Sequence, residues 1–204
     1  MTFIENVTLD VADEKTAEEF YRAAFGLSAE QLRVRAAAEP TEGFRGYTLS
    51  LTVAQPGTVD SFVASAVAAG ATVIKPATKS LWGYGATLQA PDGAIWKLAT
   101  SAKKDTGPVT REIESMVLLL GVEDIGASKK FYVAQGLTVG KSFAMTYVEF
   151  AAGDSPVKLG LYRRKALAKD AGVPAAGSGS HRITIGGGAA AFTDPDGFAW
   201  QAAA

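Results

Sequence analysis

The chain has 204 residues, no cysteine, one histidine and a formal net charge of −1. Its 48% hydrophobic and 20% charged content excludes a disordered chain, and the near-zero charge leaves no basic footprint for nucleic acid. The absence of cysteine excludes disulfides, iron–sulfur clusters and thiol nucleophiles, and a single histidine excludes a metal site drawing several imidazoles from one chain.

Phe3 to Val11 alternates apolar and polar residues, which predicts a strand with one buried face. Asp13 is placed to cap a following helix, with Glu14, Glu18 and Glu19 near its positive end. Phe20, Tyr21, Ala24 and Phe25 fall on one face of that helix, and Gly26 ends it. Leu32 to Arg35 and Tyr47 to Val53 alternate again. Val59 to Ala69 has helical spacing and stops at Gly70. A short strand over Thr72 to Lys75 follows, then strands around Gly85 to Gln89 and Ala94 to Ala99, joined by the turn Pro91-Asp92-Gly93.

The same order then begins again. Met116 to Val122 predicts a strand and Ala127 to Gln135 a helix. Strands are expected near Leu137 to Phe143, Tyr147 to Phe150 and Val157 to Tyr162, with a short helix over Arg163 to Asp170. His181 to Ile185 is a strand, and a Gly/Ala run over 186–191 leads straight into the last hairpin, so the counterpart of the Val59–Ala69 helix is missing.

The two halves match residue for residue at their landmarks. Asp13 stands seven residues before Phe20-Tyr21, and Asp124 seven before Phe131-Tyr132; Gly26-Leu27 and Gly136-Leu137 follow them. Pro91-Asp92-Gly93 with Trp96 matches Pro195-Asp196-Gly197 with Trp200. The spacing is that of a tandem duplication, with a first copy over 1–100, a polar linker over 101–110 and a shortened second copy over 111–204.

The strand ending in Asp, the Phe-Tyr helix stopped by Gly-Leu and the Pro-Asp-Gly hairpin together resemble the vicinal-oxygen-chelate superfamily, which includes glyoxalase I, bleomycin-resistance proteins and extradiol dioxygenases. The resemblance covers nearly the whole chain in two copies. It implies an α+β fold of two tandem glyoxalase-like domains built from βαβββ units, with curved half-barrel sheets and helices outside. It also implies a concave face that commonly holds a divalent metal, with ligands from a first strand, a middle strand and a last strand.

At those positions the first copy has Asn6, Thr48 and Lys97, and the second has Val117, Arg182 and Gln201. None is a histidine or a carboxylate, so no metal and no other cofactor is expected. His181 stands one residue before the Arg182 position and would face the other side of its strand. Alternation places Thr8 and Asp10 beside Asn6, giving one polar cleft with a cation, while Val117, Leu119 and Gly121 beside Gln201 give an apolar one. Trp82 and Tyr84 are expected as an aromatic flap, with Phe143, Tyr147 and Tyr162 on strands of the second copy. The basic run Arg163-Arg164-Lys165 reads as a solvated helix face.

The expected function is therefore binding of a small organic molecule in a concave cleft without metal chemistry, on the pattern of the drug-sequestering branch. The alternative is a glyoxalase-type lyase or another metal-dependent enzyme of the superfamily. The start Met1 to Asn6 carries no signal-peptide pattern and no apolar run is long enough to span a membrane, so a cytoplasmic protein is expected, as a pseudo-dimeric monomer or a homodimer.

Overall fold

The computed structural model describes residues 4–37, 39–143, 145–188 and 190–202; Phe3, at the start of the first predicted strand, and Ala189, in the Gly/Ala run, lie outside them. In chain order, β1 (Asn6–Val11), α1 (Glu14–Phe25), β2 (Leu32–Ala36), a two-residue β3 (Glu42–Gly43) and β4 (Tyr47–Thr52) come first. α2 (Pro56–Ala68), β5 (Thr72–Ser80), β6 (Gly83–Gln89) and β7 (Ile95–Thr100) follow. The second half runs β8 (Ser115–Val122), α3 (Ile125–Ala134), β9 (Val139–Phe143), β10 (Tyr147–Phe150), β11 (Val157–Arg163) and α4 (Arg164–Ala171), then β12 (Gly177–Ser178), β13 (Ile183–Gly188), β14 (Phe192–Thr193) and β15 (Ala199–Ala202).

Local chemistry sets the helix ends. The Asp13 carboxylate accepts the Thr16 backbone N–H at 2.7 Å, which holds its pKa below the ordinary value. Asp124 accepts from the Ala127 N–H at 3.0 Å in the same way. Gly26 closes α1 at φ +69°, a left-handed conformation that a side chain disfavours. α2 begins differently. Gln55 gives it no side-chain cap. Instead its amide oxygen accepts the N–H groups of Thr106 and Gly107, and its nitrogen donates to the carbonyls of Gly107 and Pro108. The segment predicted as a linker is thereby pinned to the start of α2.

The sheets do not follow the two sequence copies. Eight strands pair in the order β5-β6-β7-β4-β8-β11-β10-β9, five in the order β14-β15-β13-β1-β2, and β12 pairs with β3. Two complete βαβββ units build the larger sheet. The first is β4-α2-β5-β6-β7 and the second β8-α3-β9-β10-β11, and each pairs its first strand in parallel with its last. They join antiparallel through β4 and β8, with Ser50 opposite Val117. The smaller sheet is built from reduced units. In β1-α1-β2 the outer hairpin is missing, and β2 lies parallel beside β1 as β11 lies beside β8. In the last unit the described residues between β13 and β14 form no helix.

One continuous core joins both sheets. Val7, Leu9 and Val11 alternate into it from β1, Leu49 and Leu51 from β4, and Leu118 and Leu120 from β8, all at 1% exposure or less. Each such side chain contributes about 1.5–3 kcal/mol relative to leaving it in water. The landmarks repeated in the sequence meet here. The Tyr21 hydroxyl donates to Asp92 and the Tyr132 hydroxyl to Asp194, each at 2.6 Å, so each Phe-Tyr helix is tied to the turn of its own Trp hairpin. Burial is the main cause that lifts both tyrosine pKa values well above the ordinary range.

The helices are expected outside the sheets, and α1 to α3 contribute buried residues to this core. α4 departs from that expectation. Its Leu167, Ala168 and Ala171 pack in a separate cluster with Phe44 and Ile95, against Leu119 and Tyr162, on the opposite face of the eight-stranded sheet. No helix among the described residues is long and apolar enough to cross a membrane.

Candidate functional site

The face of the larger sheet that carries α4 is the one where the resemblance places the concave site. Strand register lays its side chains out in rows. Lys97 on β7 pairs with Ser50 on β4, Ser50 with Val117 on β8, and Val117 with Lys158 on β11. On the other side Lys97 pairs with Thr87, and Thr87 with Lys75. Thr48 lies one row away, opposite Leu119, with its hydroxyl buried and without a partner.

The position-by-position expectation grouped Asn6, Thr48 and Lys97 in one cleft and Val117, Arg182 and Gln201 in the other. The structure sorts them differently. Thr48, Lys97 and Val117 share the eight-stranded sheet, whereas Asn6 and Gln201 sit on the five-stranded one, with Arg182 at its start. The reason is that each sheet takes its strands from both copies. Asn6 and Gln201 stand on either side of Gly186, and the Asn6 amide lies so close that a Cβ at Gly186 would come within 2.7 Å of it. Thr8 pairs with Thr184 and Arg33 in the next row. Beyond it Arg35 donates twice to one Asp10 oxygen, at 2.9 and 2.6 Å.

α4 covers the middle of the larger face. At its C-terminal end the Lys97 ammonium pairs with the Asp170 carboxylate. The Lys75 ammonium donates to the carbonyls of Lys169 and Asp170, which is where a cation complements the negative end of a helix. At its N-terminal end Arg163 donates to the Met145 carbonyl at 3.2 Å. Arg163, Lys165 and Lys169 are exposed as the solvated reading requires, but Arg164 turns inward to the carbonyls of Phe44 and Ala175.

The helix divides the expected aromatic residues. Phe143, Tyr147 and Tyr162 face one another across β9, β10 and β11, with ring centroids 6.1 and 6.0 Å apart. The Tyr147 hydroxyl donates to Glu149; burial first, and then that carboxylate, raise its pKa. Trp82, at the tip of the β5–β6 hairpin, lies at the other end, 84% exposed. Tyr84 does not join it as a flap, because its hydroxyl donates to Asp60 on α2 at 2.8 Å, and that bond raises its pKa.

Beside the C-terminal end of α4 a cleft of about 370 Å³ remains open, lined by Lys75, Thr87, Lys97, Ala99 and Asp170 under Trp82. A larger opening of about 600 Å³ lies at the seam between the sheets, along the main chain of 175–181. It contains the single histidine. His181 has a carbonyl oxygen at each ring nitrogen, Arg45 at 2.7 Å and Asp196 at 2.8 Å, and stacks on Phe198 at 3.9 Å. Each ring nitrogen thus faces a main-chain carbonyl, to which an imidazole N–H can donate, and the ring lies enclosed at the seam. The larger opening is also lined by Arg45, Glu123, Arg164 and Asp196, whereas the smaller cleft brings Lys75, Lys97 and Asp170 together under an exposed indole.

A divalent metal does not fit the larger sheet's face. The row through Lys97, Ser50, Val117 and Lys158 presents two ammonium groups, one hydroxyl and one apolar side chain, whereas such ions require carboxylate, imidazole or carbonyl donors. Cations a few Å from a 2+ ion repel it by several kcal/mol in a poorly solvated site. Among the described residues no group of three or more His, Asp or Glu side chains comes together.

No protein-family model and no curated protein matches the chain in sequence. Solved structures share its fold. A point mutant of glyoxalase I from Zea mays is 14% identical with a TM-score of 0.62, and the match covers 98% of this chain and 93% of that one. Glyoxalase I from the same plant is 16% identical with a TM-score of 0.59, over 91% of this chain and 74% of that one. A putative dioxygenase from Bacillus subtilis is 14% identical with a TM-score of 0.57, over 91% and 70%. The chain therefore has the α+β fold of these glyoxalase I and dioxygenase structures, without a closed barrel among the described residues.

Proposed function

We propose that this chain uses the glyoxalase/bleomycin-resistance fold to bind a small organic molecule without metal chemistry, in the cleft at the C-terminal end of α4. The observation that carries this reading is a row of Lys97, Ser50 and Val117 in a face whose centre is filled by Leu167 and Ala168, while a cleft of about 370 Å³ stays open beside them. That volume is at the small end of organic-ligand sites. The exposed Trp82 indole supplies apolar contact, and Thr87 and Lys97 supply polar groups that fix orientation.

A thermal-shift screen with aromatic natural products tests it. Hits are expected to raise the melting temperature of the wild type and to lose the effect in Trp82→Ala. Metal analysis of protein purified without chelator is the second arm. A stoichiometric transition metal would overturn the reading in favour of a metal-dependent enzyme of the same fold.

A further inference from the structure

The cleft carries an unusual internal ion pair. Lys97 comes from β7 and its carboxylate partner from the last turn of α4, 73 residues away in sequence. An aspartate in that turn opposes the helix dipole, whose C-terminal end is already negative. Asp170 is thus a carboxylate held by the lysine it faces and disfavoured by its own helix. Lys75 is placed differently, because it answers the helix-end carbonyls themselves and can remain there when Asp170 leaves. The pair is also within reach of solvent: the Lys97 side chain is 24% exposed and that of Asp170 49%.

The floor of the cleft is flat. Gly85 and Ala99 stand opposite each other on β6 and β7, and a Cβ at Gly85 would lie 2.7 Å from the Leu98 carbonyl oxygen. A glycine held bare beside an alanine leaves a smooth surface, with the Trp82 indole at its rim. A flat apolar floor, an indole edge and an ammonium whose present partner is exchangeable are the elements that recognise a planar aromatic ring carrying one acid group.

We propose that the ligand of this cleft is a planar aromatic carboxylate whose acid group takes the place of Asp170 on Lys97. The proposal rests on the small-molecule reading above and specifies it. Binding then exchanges one ion pair for another, while Lys75 keeps the C-terminal end of α4 on the sheet through the helix-end carbonyls.

Isothermal titration of the full chain with 2-naphthoate, and with neutral 2-naphthamide of the same shape, tests it. Asp170→Asn removes the competing carboxylate and keeps the helix, and is expected to tighten 2-naphthoate by about three- to fivefold, the scale of a partly exposed ion pair. 2-Naphthamide is expected to bind the wild type more weakly than 2-naphthoate and to gain nothing from Asp170→Asn. Lys97→Met is expected to abolish the preference for the acid, with its fold checked by circular dichroism. Equal binding of acid and amide to the wild type, or no gain for the acid in Asp170→Asn, would overturn the exchange while leaving an aromatic cleft in place. Failure of both probes on wild type and Asp170→Asn alike would remove the small-molecule reading of this cleft along with the exchange.

Discussion

The eight-stranded and five-stranded sheets are built from the same unit and carry very different faces. The larger has two complete βαβββ units, and its face opposite the main core is covered by α4, with Leu167, Ala168 and Ala171 fully buried. The smaller has two strands from one reduced unit and three from another, and its corresponding face is polar, with Asn6, Thr8 and the Arg35–Asp10 pair. Both reductions fall on the same sheet although they occur in different sequence copies. The missing outer hairpin belongs to the first copy and the missing helix to the second. The two complete units are the ones that meet at the β4–β8 junction, with Ser50 opposite Val117, and the two reduced ones meet through β1 and β13.

The largest effect expected from breaking this contrast is at Leu167. It is completely buried between α4 and the sheet, and truncation to alanine leaves a cavity in a small cluster, for an expected loss of about 2–5 kcal/mol in urea unfolding. The same variant should bind an apolar dye at the uncovered face. A loss below about 1 kcal/mol would mean that α4 is only laid on the sheet.

Next come the two tyrosine ties. Tyr132→Phe leaves one oxygen of the 5% exposed Asp194 without its donor and the Trp200 indole N–H without its acceptor, and is expected to cost about 1–3 kcal/mol. Tyr21→Phe removes the same bond from Asp92, which is only half-buried, so its loss should be the smaller of the two. Equal losses in paired unfolding experiments would show that burial of the acceptor does not set the difference.

These ties also show how far the sequence reaches. Strands, caps and turns were legible because their signals are local: alternation in Phe3 to Val11, Asp13 before the helix, Gly26 after it. The Phe-Tyr and Pro-Asp-Gly landmarks were legible as repeats, but not as hydrogen-bonded partners. The bond joins Tyr21 to the turn's Asp92 in one copy, and Tyr132 to Asp194, two residues before Asp196, in the other. Ala90 occupies the place of Asp194 in the first copy. Sheet membership was not legible. Whether Asn6 shares a cleft with Lys97 depends on which strands pair, and alternation gives the face of a strand without naming its sheet. α4 was legible as a helix with a solvated basic face, but the burial of its other face was not. It has a single large apolar side chain, Leu167, and the surfaces that bury it come from β4, β7, β8 and β11 together. The pairing of Ser50 with Lys97 was not legible, because the register of parallel strands is set by packing.

A pH experiment sharpens the same comparison at smaller scale. Burial pushes the Asp194 carboxyl above the ordinary 3.8, against the pull of the Tyr132 and backbone hydrogen bonds. A carboxyl raised in the fold favours the folded state fully only below the ordinary value, and that contribution is lost as pH rises through the raised one. Asp194→Asn does not titrate. Its stability relative to wild type is therefore expected to improve as pH rises from below the ordinary 3.8 through the raised value. A constant difference across this window in denaturant titrations would mean that the hydrogen bonds outweigh the burial.

The smallest expected effects are at the two ion pairs, one on each sheet. Arg35–Asp10 and Lys97–Asp170 both involve partly exposed side chains, and double-mutant cycles are expected to give about 0.2–1 kcal/mol for each. Arg35 should stand at the upper end. Its two donors meet one oxygen, a third contact reaches Thr184 at 3.3 Å, and the pair joins strands that are already paired in the sheet. Lys97–Asp170 has no such support, since Asp170 reaches Lys97 only while α4 stays packed. Repeating both cycles in the Leu167→Ala background separates the two cases. The Arg35–Asp10 coupling is expected to persist unchanged, because it shares no contact with α4. The Lys97–Asp170 coupling is expected to vanish, because the variant removes the anchor that presents the aspartate. If both couplings persist, the C-terminal end of α4 is held by Lys75 and the helix-end carbonyls rather than by the apolar seat of Leu167.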